Sequence, residues 1–161
     1  MRSKRVLFIT QAAMIAAIYV VLTLFVSALN LASGAIQVRI SEALTILPAF
    51  TPAAIPGLFI GCLFSNLMSG CMLWDVIFGS LATLLGAVGT YLLRNWKWAV
   101  PIPPIVSNIL IIPFVLTYVY HLPGGVPYFM LTVGIGEILS CGVLGILLYN
   151  ILSRYRNVIF R

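Results

Sequence analysis

Four charged residues stand apart from the rest of this 161-residue chain: Arg39, Glu42, Asp75 and Glu137. Three of them are the only carboxylates in the sequence. Glu137 lies about ten residues into an apolar stretch that begins near Tyr128, roughly 15 Å deep if the stretch is helical. A charge at that depth in a membrane costs at least ~2.5–3.5 kcal/mol, so the side chain must face a cavity, a partner group or a proton. It could hold a ligand or carry a proton; a protonated Glu bonded across helices is the structural alternative. Arg39 and Glu42 are three residues apart and would pair on a helix, orienting a loop or contacting a ligand. Asp75 sits where an apolar run resumes, as an N-cap or a ligand contact, and its neighbour Trp74 is either a stacking wall or an interface aromatic. Asn66 and Asn108 need hydrogen-bond partners, across helices or on a ligand. With Tyr118, Tyr120 and His121, these residues compose an apolar pocket with a few convergent polar groups. Carboxylates accept adjacent N–H donors and aromatic or guanidinium planes cover ring faces, a combination suited to a planar, donor-rich heterocycle.

Catalytic sets are missing. The chain has no G-x-x-x-x-G-K-[ST], G-x-S-x-G or H-E-x-x-H, so it is not expected to hydrolyse ATP or to act as an enzyme. Its single His lacks metal-ligand spacing, and no metal or cofactor is expected. Cys62, Cys71 and Cys141 form no C-x-x-C and read as small buried apolar side chains.

The elements that position these residues must lie in lipid. Hydrophobic residues make up 62 % of the chain, charged residues 7 %, and mean hydropathy is +1.15. Soluble domains run near ~45–50 % apolar and ~25 % charged, and a chain this short cannot bury the excess in water. A soluble enzyme, a nucleic-acid binder and a disordered tail are excluded. The net charge of +6 is not a nucleic-acid surface, because the basic residues cluster at the ends of apolar runs: Arg2, Lys4, Arg5; Arg94, Lys97; Arg154, Arg156, Arg161. That is the positive-inside pattern. The first apolar run, about twenty residues, exceeds the ~7–15 of a signal peptide and is expected to be retained as a membrane helix.

The expected fold is an all-α integral membrane protein, one domain over 1–161, with six transmembrane helices near 6–29, 41–50, 52–69, 75–93, 101–120 and 128–152. Asn30 and Ser33-Gly34 end the first. Pro48, Pro52 and Pro56 divide 41–69 into two helices, the first rising only ~15 Å and so tilted, partly re-entrant or beginning upstream of Ser41. Six helices with cytoplasmic termini place eight of nine basic residues inside, whereas five would strand the C-terminal clusters outside. Loops 30–40, 70–74 and 121–127 then face outward, and the Phe50/Pro52 turn and the Trp96/Trp98 loop face inward. Small residues recur at Ala53, Gly57, Gly61, Ser65 and Ser69, and at Ala12, Ala13, Ala16 and Ala17. Either stripe could pack within the bundle or against another chain; the helix 1 stripe is favoured as the intermolecular contact.

The segments QVRISEALTILPAFTPAAIPGLFIGCLFSNL (37–67), WDVIFGSLATLLGAVGTYLL (74–93) and PPIVSNILI (103–111) resemble the QueT family, substrate-binding S-components of energy-coupling factor (ECF) transporters for queuosine precursors. The resemblance implies a six-helix S-component in the plasma membrane of a prokaryote. It would bind a 7-deazaguanine such as preQ1, preQ0 or queuine from outside. Its implied partners are a transmembrane coupling subunit, for which an A-x-x-x-A face of helix 1 is often used, and two cytoplasmic ATPases. The substrate contacts expected from the residues themselves are Glu137, Glu42, Arg39, Asn66, Asn108, Trp74, Asp75 and Tyr120. Loops 30–40 and 70–74 would close over the substrate, and the resemblance implies reorientation of the whole bundle to release it. Two rival readings are a proton-coupled permease or exporter using Glu137 and, less supported, a lipid-modifying membrane enzyme.

Overall fold

The computed structural model describes residues 2–29 and 39–156. The expected helix stop at Asn30, the Ser33-Gly34 turn, the 30–38 part of the closing loop and Arg161 lie outside the described residues. Every regular element among the described residues is helical. They are α1 (Arg2–Ala28), a 3-10 helix (Ile40–Ala49), α2 (Ala54–Met68), α3 (Leu73–Leu92), α4 (Ile102–Tyr118), α5 (Val126–Glu137), a π-helical segment (Ile138–Leu144) and α6 (Gly145–Arg154). The last three run on as one apolar rod over Val126–Arg154. That rod, Lys4–Ala28 and Leu73–Leu92 are long and apolar enough to cross a membrane; the other three helices are apolar but shorter.

The segment divided by prolines takes a form the sequence reading missed. Its first half is wound as a 3-10 helix, with Glu42 N donating to Arg39 O at 3.0 Å and Phe50 N to Leu47 O at 2.9 Å. Pro48 cannot donate from its backbone nitrogen, and Thr45 and Ile46 are β-branched, so α-winding has little to gain here. At ~2.0 Å per residue the ten residues span about 20 Å instead of the ~15 Å of an α-helix, which recovers about a third of the length the element lacked against a core of about 30 Å. Ser41 through Ala49 are all buried, and the 3-10 helix packs on α1, α2, α3, the π segment and α6. After it Pro52 and Ala53 form a turn, and Pro56 falls in the first turn of α2, where a missing N–H costs no helical bond.

The contacts between elements fix their directions. On α2, Gly57 meets Ala12 and Ile15, and Gly61 meets Ala16 and Tyr19, so α1 and α2 run parallel. Tyr19 and Thr23 of α1 meet Glu42 and Ser41, so the 3-10 helix between them runs the other way. Asn66 faces Gly79 and Cys62 meets Thr83, which sets α3 antiparallel to α2. Gly86 and Gly89 pack on Pro104 and Pro103, Gly134 packs on Ile109, and Leu116 clusters with Phe129; α4 and α5 therefore alternate in turn. Lys4/Arg5, Arg94/Lys97 and Arg154/Arg156 consequently gather at one end. The turn after the 3-10 helix lies there too, held by the hydrogen bond Thr51 Oγ1 to Gln11 Oε1 at 2.9 Å.

The interior mixes apolar and polar side chains while much of the outer surface is apolar. Buried polar residues include Thr45, Ser65, Asn66, Thr83, Asn108 and Glu137 beside Ile46 and Leu58, while Ile9, Val21, Phe25, Leu85, Leu92 and Leu131 are exposed. In water so apolar an exterior would be unstable; in lipid it is expected.

Candidate functional site

A cavity of about 270 Å³ opens at the end opposite the basic clusters. Thr23, Val26 and Ser27 line it from α1, Arg39 and Ser41 from the start of the 3-10 helix, and Asn66 and Ser69 from the end of α2. Cys71 and Asp75 line it from the 70–74 loop and α3, Ile112 and Leu116 from α4, and Tyr120 and Leu122 from the following loop. A smaller void of about 20 Å³ shares Arg39 and Ile112 with it and adds Glu42, Gly79, Thr83, Asn108, Val133 and Glu137. A heterocycle fits the upper chamber; the lower one admits a group the size of a water molecule or an amine.

At the floor, the two carboxylates are each held by a donor. The Tyr19 hydroxyl donates to Glu42 Oε1. The Cys141 thiol donates to Glu137 Oε2 at 3.1 Å and lies 3.4 Å from both Glu42 O and Thr45 Oγ1. Glu42 is 2 % exposed and its second oxygen, Oε2, is buried with no partner. A buried carboxylate oxygen left without a donor costs on the order of 1–3 kcal/mol or more, and the amide that faces both carboxylates from α4 is Asn108. Ser140 Oγ, in the π segment, is likewise unpartnered. Such widened turns are frequent at functional sites, and this one carries Cys141 back toward the 3-10 helix. The ligating atoms of Glu42, Glu137 and Cys141 lie within 4.8 Å of one another, close enough for one cation, but Arg39 shares the void and its fixed positive charge favours a neutral N–H donor over a metal ion. Among the described residues Arg39 forms no direct ion pair with Glu42, which their three-residue spacing allowed; it shares the void with both carboxylates instead.

At the mouth, Asp75 is not the N-cap that was one of its two readings. The helix starts at Leu73 with Met72 as N-cap, and Asp75 turns inward, where the Tyr120 hydroxyl donates to its Oδ2 at 2.8 Å. Tyr120 in turn accepts from Met72 N–H at 3.2 Å. Burial and the Asp75 carboxylate hold the Tyr120 phenol above its ordinary range, so it remains a donor. Burial, then Asp75, also push the Cys71 thiol up.

The structure thus brings together Arg39, Glu42, Asn66, Asp75, Asn108, Tyr120 and Glu137 around two adjoining chambers. It does not bring in Trp74, which is exposed and stacks on Phe78 at 5.9 Å between centroids. Tyr118 is exposed against Phe114, and neither it nor the exposed His121 lines a chamber. The alanine stripe divides. Ala12 and Ala16 are half-buried against Gly57 and Gly61, while Ala13 and Ala17 are exposed. Tyr19, Thr23 and Ser41 were not singled out beforehand; Cys141, read as a small apolar side chain, instead donates to Glu137, and Cys71, read the same way, is only half-buried on the cavity wall. Tyr19 carried a signal nonetheless: a phenol in mid-helix within an apolar run needs a partner.

A family model described as QueT transporter matches residues 9–154. Over 99 residues the chain is 37 % identical to the queuosine precursor transporter QueT of Lactococcus lactis subsp. cremoris (strain MG1363). The aligned stretch covers 60 % of this chain and 57 % of that relative's length. No solved structure matches the chain. The match across nearly the whole helical bundle makes this chain a member of the QueT transporter family.

Proposed function

We propose that the chain is the substrate-binding S-component of an ECF importer, taking up a queuosine precursor (a 7-deazaguanine such as preQ1, preQ0 or queuine) through a prokaryotic plasma membrane. One observation carries the reading of the site: the buried, unpartnered Oε2 of Glu42, a residue that lines the small void beneath a cavity of about 270 Å³, large enough for a bicyclic ring. The adjacent ring N–H and amino group of a 7-deazaguanine are the donors that oxygen lacks. Asn66, Asn108 or Arg39 donates to the ring carbonyl, Glu137 adds negative potential beneath, and Asp75 faces the cationic aminomethyl group of preQ1. Trp74 is left out of this assignment.

The alternating helix directions and the basic residues at one end support six crossings with cytoplasmic termini. The cavity then opens outward, and Ala13 and Ala17 offer a small-residue face to a transmembrane coupling subunit. Two partner ATPases supply ATP hydrolysis, and reorientation of the loaded bundle delivers substrate inside. Uptake of labelled preQ1 by cells expressing the chain with and without ECF subunits tests this. Uptake should require those subunits. Undiminished uptake without them, driven by a pH gradient, would give Glu137 the role of proton carrier in a stand-alone permease.

A further inference from the structure

Tyr19 belongs to neither chamber, yet it sets how the floor is presented. Its hydroxyl can donate to only one carboxylate oxygen of Glu42, and it does so to Oε1. The residue is 1 % exposed and its Cβ lies over Gly61, where an added methyl would stand 2.9 Å away, so the side chain is enclosed where α1 meets α2. One turn along α1, Thr23 Oγ1 donates to Ser41 Oγ at 2.8 Å, which fixes the register of α1 on the 3-10 helix. The lower void meets Glu42, Asn108 and Glu137 but not Tyr19.

We infer that Tyr19 is a specificity-determining positioning residue: by holding Glu42 Oε1 it turns Oε2 alone into the substrate cavity and makes the floor an acceptor for ligand N–H groups. The inference rests on reading the two chambers as the substrate site, and it makes a claim that reading does not. A phenol both donates and accepts, so an amide at position 42 can meet Tyr19 through either terminal atom, and Glu42→Gln weakens the acceptor without setting its direction. Tyr19→Phe is the change that frees the carboxylate while leaving its charge in place. A merely structural Tyr19 would lower all affinities alike.

The test uses the full chain in detergent or nanodiscs and isothermal titration with 7-deazaguanine and its 2-oxo analogue, 7-deazaxanthine. Wild type should favour the 2-amino ligand by at least about tenfold. Glu42→Gln, which keeps only one acceptor oxygen, should lose most of that preference. Tyr19→Phe should weaken 7-deazaguanine about tenfold and the 2-oxo analogue by less than about threefold, narrowing the preference with Glu42 intact. The inference is overturned if Tyr19→Phe keeps the wild-type preference, including the case in which both ligands weaken alike. Should Tyr19→Phe not fold, Tyr19→Met, which fills similar space without a hydroxyl, decides by the same comparison. A wild type that binds neither ligand would remove the proposed function and this inference with it, whereas a wild type that binds and a Tyr19 variant that keeps its preference would remove the inference only.

Discussion

Tyr120 reaches from the loop after α4 to Asp75 in the first turn of α3, closing a hydrogen bond of 2.8 Å across the cavity mouth. The same oxygen accepts the N–H of Met72, so one phenol fastens the 70–74 loop to the 119–125 loop and sets where the Asp75 carboxylate points.

Tyr120→Phe removes both bonds. A hydrogen bond to a charged group contributes about 1.5–3 kcal/mol when well shielded, and partial exposure here places the loss near the lower end. Detergent-solubilised protein should lose about 1–2 kcal/mol of stability, and affinity for an aminomethyl-bearing ligand should fall more than affinity for its nitrile counterpart. Equal losses for the two would separate Asp75 from the cationic end of the substrate.

Gly79→Ala should part stability from binding. A helix interior gains about 1 kcal/mol from this exchange, but the new methyl would stand 3.0 Å from Asn66 Nδ2 on the wall of the lower void. Thermal unfolding should stay level or rise while affinity falls by about tenfold. An affinity unchanged from wild type would show that ligands do not reach this wall.

Gly61→Ala should do the reverse of sparing the fold. Its methyl would sit 2.9 Å from Tyr19 Cβ and 3.1 Å from the Ala16 backbone, neither of which can yield without separating α1 from α2. Overpacking of this kind costs about 1–3 kcal/mol, measurable as a lowered unfolding temperature.

Cys71 reports on the mouth through its reactivity. Burial, reinforced by Asp75, holds the thiol above its usual range, so less thiolate is present at neutral pH and alkylation is slow. Maleimide labelling should rise only at a pH above that of a free cysteine, about 8.5. Asp75→Asn should move the curve toward lower pH, and bound ligand should slow labelling at every pH.

Much of this architecture was legible in the sequence because lipid permits few exceptions. Arg39, Glu42, Asp75 and Glu137 are conspicuous in a chain with so little charge, and all four line or adjoin the chambers. The all-helical character followed from uninterrupted apolar runs, three of which form helices long and apolar enough to cross a membrane. Orientation of side chains around each helix was not legible. Trp74 and Asp75 are neighbours, and 100° of helical rotation sends one to the surface and the other into the cavity. Nor did residue types reveal that Ser41 to Ala49 wind as a 3-10 helix, since the choice depends on five packed neighbours as much as on Pro48. Tyr19 was missed for a related reason: its partner lies on an element whose winding had to be known first.

That winding also works as a ruler of direction. At three residues per turn Glu42, Thr45 and Pro48 stand in one file, and the Cys141 thiol lies between that file and Glu137. Rewound as an α-helix, positions 42 and 45 would diverge by about 60°, and the segment would shorten by about 5 Å. The aim of the carboxylate at the cavity floor is therefore a property of helical pitch, held by hydrogen bonds that each span three residues rather than four.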